Sequence, residues 1–125
     1  MADVPTAAAP SLAALDAVVD LACRPPTGVS RAKQLRWVAG ELRTALERGA
    51  IPPTAARSLG ALLAPDTLAA YLTAAERGLL RRKPAARPDH ASPASVRVRE
   101  DCLRILGVQA GIPLTLPERD RPKVT

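Results

Sequence analysis

The 125-residue chain has no phenylalanine, one tryptophan and one tyrosine, so a hydrophobic core must come from Leu, Val, Ile and Ala. The β-branched and aromatic residues that build sheets are too scarce to supply one. Histidine occurs once and cysteine twice, too few to converge on a metal ion. No apolar run approaches the ~20 residues that span a bilayer. The opening Met1-Ala2-Asp3-Val4-Pro5 has no basic segment of the kind that starts a secretory leader. Cys23 and Cys102, far apart and each inside an apolar pattern, therefore read as buried, reduced thiols of a soluble cytoplasmic protein.

Alanine (25), leucine (17) and arginine (15) dominate what is present, and they suit closely packed helices. The same bias toward Ala, Arg and Pro follows from GC-rich coding, so it speaks for fold and not for function. The expected fold is all-α, a compact bundle of four to five helices over residues 11–111. A flexible Pro/Ala arm (1–10) precedes it, and a Pro-rich extended tail (112–125) follows.

Ser11 is a candidate N-cap for a first helix bearing Leu12, Leu15 and Val19, which Pro25-Pro26-Thr27-Gly28 ends. From Ser30 to about Arg48, Leu35, Val38, Ala39, Leu42, Ala45 and Leu46 recur at helical spacing, with Lys33, Arg36, Gly40, Arg43 and Glu47 opposite. Gly49 is the stop. Thr54 is a candidate cap for a short helix through Leu63. Pro65 and Asp66 open another with Leu68, Leu72 and Ala75 inward, closed by Gly78. Residues 81–93 form a basic, Pro-rich loop. Ser92-Pro93 begins the last helix, with Val96, Cys102, Leu103, Ile105, Leu106 and Ala110 apolar and Gly111 its end.

The net charge is +6, but residues 1–23 hold three aspartates and no base, leaving +9 on residues 24–125. Such a surface suits a polyanion, because each Lys or Arg that neutralises a phosphate releases condensed counterions. Catalytic chemistry lacks material. His90 has no nucleophile at a telling spacing, and no glycine-rich loop is built to hold a phosphate. Asp16/Asp20 and Glu100/Asp101 read as solvated helix faces. Trp37 and Tyr71 read as partial core residues, not as a stacking platform.

The basic residues are more specific. Lys33, Arg36 and Arg43 fall on one side of a helix around Gly40, whose missing side chain would either admit a phosphate backbone or serve helix packing. Ser95, Arg97, Arg99 and Arg104 cluster toward the start of the last helix, where phosphates are favoured and bases are read. Glu100 and Asp101 would repel phosphate unless turned away.

The order of these elements resembles the N-terminal core-binding, SAM-like domain of tyrosine recombinases and phage-type integrases. The similarity runs over roughly residues 11–117. It is carried by Ser30-x-x-Lys33-x-x-x-Trp37-x-x-x-x-Leu42, by Leu68-x-x-Tyr71-Leu72, and by Ser92-Pro93-x-Ser95-Val96 leading to Leu103-x-x-Leu106. The resemblance implies a four-helix bundle that clamps duplex DNA. It places Lys33, Arg36 and Arg43 on one DNA-facing helix and Ser95, Arg97, Arg99 and Arg104 on the other. Lys33 and Ser95 stand where the family usually has Thr, and the 51–64 stretch is longer than expected.

The family's catalytic domain brings an Arg, a His-x-x-Arg pair and a nucleophilic Tyr. None can be assembled here: Tyr71 lies on an apolar face and His90 has no Arg three residues on. The expectation is a non-catalytic duplex-DNA-binding module without metal or cofactor, whose partners are DNA and a recombinase or a second copy. The rival is a small helical protein–protein interaction or regulatory protein whose basic charge is incidental. A continuous basic stripe in the fold favours the first, and scatter the second.

Overall fold

The computed structural model describes residues 9–81 and 93–117, and these form an all-α bundle without strands. The elements in order are α1 (Pro10–Ala22), α2 (Val29–Glu47), a 3₁₀ turn (Pro53–Ala56), α3 (Leu59–Leu62), α4 (Pro65–Glu76) and α5 (Pro93–Ala110). The arm at residues 1–8, the loop at 82–92 with His90 and the Ser92 cap, and the tail beyond 117 lie outside the described residues. No described helix is long and apolar enough to cross a membrane.

Each long helix buries one apolar stripe in a shared core. Leu12, Leu15 and Val19 of α1 meet Leu35, Val38 and Leu42 of α2, Leu68 and Leu72 of α4, and Leu103 and Leu106 of α5. α1 packs on α2, α3 and α5, while α2 also packs on α5 and α4. With no phenylalanine available, twelve fully buried side chains carry the volume, and all but Tyr71 are Leu or Val. Burying a Leu contributes about 1.5–3 kcal/mol, so the aliphatic core suffices without aromatics.

Helix ends follow the glycine signals. Gly49 and Gly78 adopt φ of +72° and +74°. Ala50 N–H donates to the Ala45 carbonyl at 2.8 Å, and Leu79 N–H to the Ala74 carbonyl at 3.0 Å. These bonds use carbonyls that a helix end would otherwise leave orphaned. Arg48 locks two of these ends together, donating from Nη1 to the carbonyls of Leu79 and Arg81, both at 2.7 Å.

The starts differ from expectation. α1 begins at Pro10 with Ala9 at the N-cap, so Ser11 is inside the first turn and its buried hydroxyl has no partner. Proline's preset φ makes it a sufficient first residue without a capping side chain. The helix expected from Thr54 to Leu63 is broken in two. Ser58 takes extended backbone and accepts a hydrogen bond from Ala61 N–H at 3.1 Å, capping α3 afresh.

The first part of the expected extended tail packs against the bundle. Ile112, Leu114 and Leu116 lie half-buried on the core, and Ile112 N–H donates to the Gly107 carbonyl at 2.9 Å. A Cβ at residue 107 would stand 2.6 Å from Leu114 Cγ, so glycine is what lets the chain fold back over α5.

Candidate nucleic-acid interface

The positions proposed to face DNA separate into four groups in the fold. Lys33, Arg36 and Arg97 are exposed. Arg43 and Arg104 are held by carboxylates of the same molecule. Arg43 Nη2 reaches Asp16 Oδ2 at 3.1 Å, and Arg104 reaches Asp101 Oδ1 at 3.5 Å and Glu100 Oε2 at 3.9 Å. The Arg43–Asp16 and Arg104–Asp101 pairs are at the surface and worth under about 1 kcal/mol each, whereas Glu100 is buried, so Arg43 is the arginine for which a phosphate competes most easily. Ser95 is half-buried and has partners of its own.

Arg99 requires a correction. It is only 7% exposed and turns away from solvent. Its Nε and Nη2 donate to Glu41 Oε1 and Oε2 at 2.8 and 3.0 Å, a two-pronged match of guanidinium to carboxylate. Tyr71 Oη donates to the same Glu41 Oε1 at 2.7 Å. Arg99 belongs to a buried polar triad that ties α2, α4 and α5 together, and in this arrangement it cannot touch DNA. The helical period explains the misplacement. Position 99 lies one turn before Leu103 and two before Leu106, so it shares the inward stripe.

Glu41 was not singled out in the sequence, though a signal was present. It stands three residues after Val38, beside Leu42 and one turn before Ala45, all fully buried. A carboxylate inside an apolar stripe needs a buried cation or donor to offset its desolvation.

Titration properties follow from this burial. Burial tends to lower the Arg99 pKa, but the hydrogen bonds and charge of Glu41 more than offset this and leave it raised. Burial, reinforced by the charge and hydrogen bond of Glu41, lifts the Tyr71 phenol well above its ordinary 10.0. The folded protein thus holds this proton more tightly than the unfolded chain does. The contribution of Tyr71 to stability is full and constant with pH below 10.0, and falls as the pH climbs from there toward the raised value. Denaturant midpoints measured across this alkaline range should decline, and in Tyr71→Phe that part of the decline should vanish. At neutral pH the same substitution should cost about 1.5–3 kcal/mol, the worth of a hydrogen bond to a charged group.

Above the triad lies Trp37, which is not a core residue. It is 41% exposed, and the Arg99 guanidinium carbon sits 4.4 Å from its ring centroid. This is a cation–π contact on one ring face, worth about 0.5–2 kcal/mol. Gly40 lies three residues on and is also exposed, and a Cβ there would meet nothing within 4 Å. Helix packing therefore does not require this glycine.

Beside Gly40, α1 and α2 frame an open groove of about 450 Å³ lined by Asp16, Val19, Asp20, Arg36, Ala39, Gly40 and Arg43. Two carboxylates on one wall make it a mixed-charge groove rather than a continuous cationic stripe. The carboxylates of α5 divide differently. Glu100, read from sequence as solvated, is 4% exposed, whereas Asp101 is half-buried beside Arg104.

Cys102 is buried and Cys23 half-buried, and both are free. Burial pushes the Cys102 thiol up, partly opposed by Arg31, whose Nη1 lies 3.8 Å from the sulfur. Among the described residues, no three His, Cys, Asp or Glu side chains are grouped to hold a metal. No family model matches the chain, and no curated protein or solved structure matches it either. The likeness to recombinase core-binding domains thus rests on the sequence pattern alone.

Proposed function

We propose that the protein is a non-catalytic duplex-DNA-binding module that docks through the exposed faces of α2 and the N-terminal half of α5. One observation carries this reading. Lys33 and Arg36 on α2 and Arg97 on α5 are exposed, while Glu41 and Glu100 of the same helices are buried, so Glu47 and Asp101 are the carboxylates that these two helices leave at the surface. Arg43 can join at little cost, because its surface pair with Asp16 is weak.

The test is fluorescence anisotropy with a pool of short labelled duplexes at two salt concentrations. Binding at low salt should be micromolar or tighter. With three phosphate contacts, log K should fall against log salt with a slope of about −2.7, roughly a 40-fold loss for a fourfold rise in salt. No binding at low salt rejects the reading.

A second reading, protein contact, is favoured by the lack of a continuous basic stripe among the described residues and by a groove on α4. Ala69, Ala70, Ala74, Thr73 and Arg77 line it with Ala50 and Leu79, enclosing about 380 Å³. Asp66 at one end of the same face lies about three turns from Arg77 at the other. Two copies packed antiparallel through α4 would oppose Asp66 of one to Arg77 of the other, with alanines allowing close approach. Sedimentation equilibrium should then show a dimer that Thr73→Arg abolishes. A monomer throughout, or a dimer indifferent to that change, rejects it.

A further inference from the structure

Trp37 is the largest side chain of the molecule, it is the only tryptophan, and it leaves much of its surface in water. Its position is nevertheless fixed. Arg99 lies against one ring face, and Arg99 is itself clamped by two hydrogen bonds to Glu41, which also accepts one from Tyr71. Since Arg99 is almost wholly buried, the ring roofs it, and what Trp37 shows to solvent is the opposite face and its edges. Exposed Lys33 stands one turn before Trp37 on α2, and exposed Gly40 close to one turn after it. The glycine leaves open space on the helix surface one turn beyond Trp37, and the lysine provides a cation for a phosphate.

We infer that the outer face of Trp37 is a platform on which one unpaired base of a bound DNA stacks, with Lys33 on the adjoining phosphate. The inference rests on the DNA-binding reading and narrows it to DNA that presents an unstacked base, such as a bulge or a single-stranded end. The chemistry is general. Every base has a π-face, and a flat ring beside a cation is what sequence-tolerant binders of unpaired nucleotides use. The cation already beneath the ring is compatible with this, because the guanidinium occupies the inner face and leaves the outer one open. The buried triad holds the guanidinium against the inner face, and that contact reduces the ordering cost of the ring on binding.

The lone tryptophan is its own reporter. Its fluorescence is followed while the protein is titrated with a fully paired duplex, the same duplex bearing one unpaired thymine, and an oligothymidine strand. The bulged duplex should quench the emission and bind about 5- to 100-fold more tightly than the paired one. Trp37→Phe and Trp37→Leu lack this reporter, so their binding is read by anisotropy of the same oligonucleotides carrying a label, and Trp37→Phe should keep most of that preference. Trp37→Leu, which still covers Arg99 but cannot stack, should lose it while circular dichroism stays unchanged.

Equal binding of paired and bulged duplexes without quenching overturns the platform and leaves the duplex reading standing. Retention of the preference in Trp37→Leu also overturns it. Quenching and binding by oligothymidine alone would support the platform while removing the duplex reading. Absence of binding to all three overturns both.

Discussion

Glu41→Ala should cost the fold about 3–5 kcal/mol, the loss expected when one member of a buried ion pair is removed and the other stays. Arg99 would keep a charge at 7% exposure with no acceptor for Nε or Nη2, and its Nη1 is already unpartnered. The Tyr71 hydroxyl would lose its acceptor as well. A domain of this size has about 5–15 kcal/mol in all, so the variant should be marginal at 37 °C. Urea unfolding followed by circular dichroism measures the loss, and a value under about 1 kcal/mol would show that the triad does not hold the helices together. Replacing the pair by apolar residues, Glu41→Leu with Arg99→Met and Tyr71→Phe, should recover most of the stability. Such a replacement removes the desolvation cost along with the attraction. The contrast between the two variants separates the loss of a partner from the loss of an interaction.

Arg36→Glu with Arg97→Glu should weaken duplex binding about 200-fold at 50 mM salt and leave helicity unchanged. Two phosphate contacts are removed, each contributing roughly a factor of 15 through counterion release under that condition. The salt dependence should shrink in step, to a slope of about −0.9 from the contact at Lys33. Both side chains are exposed and neither helps to form the core, so no folding defect should confuse the measurement. Anisotropy with the duplexes used for the wild type reads the result, and normal binding by the double variant would show the surface to be wrong. Arg99→Glu would not be equivalent. It would lose binding by unfolding the triad, which is why the buried arginine must be kept out of any charge-reversal series.

Much of the architecture is legible without coordinates because local rules and burial agree. The stripe Leu35, Val38, Leu42 and Ala45 is fully buried, as its spacing requires. Gly49, Gly78 and Gly111 each close a helix with positive φ, as expected of glycine at those places. The 51–64 stretch is less legible, because Thr54 and Ser58 can each cap a helix and the pattern alone does not choose between them. Tertiary packing settles it, burying Ala55 and Leu62 on either side of an extended Ser58.

Composition and periodicity by themselves determined an all-α bundle built on aliphatic residues, its helix ends, and a basic surplus beyond residue 23. Periodicity also sets Glu41 and Arg99 within inward stripes, but it could not say that the two meet. Position 99 is arginine whether it reaches for a phosphate or for Glu41, which lies 58 residues earlier in the chain. Only the crossing of α2 and α5 decides which. The same crossing sets Arg99 against one face of Trp37, whose ring stays partly at the surface. The guanidinium can be buried there because a two-pronged carboxylate contact offsets its desolvation, a pairing that exists only once α2 and α5 are packed.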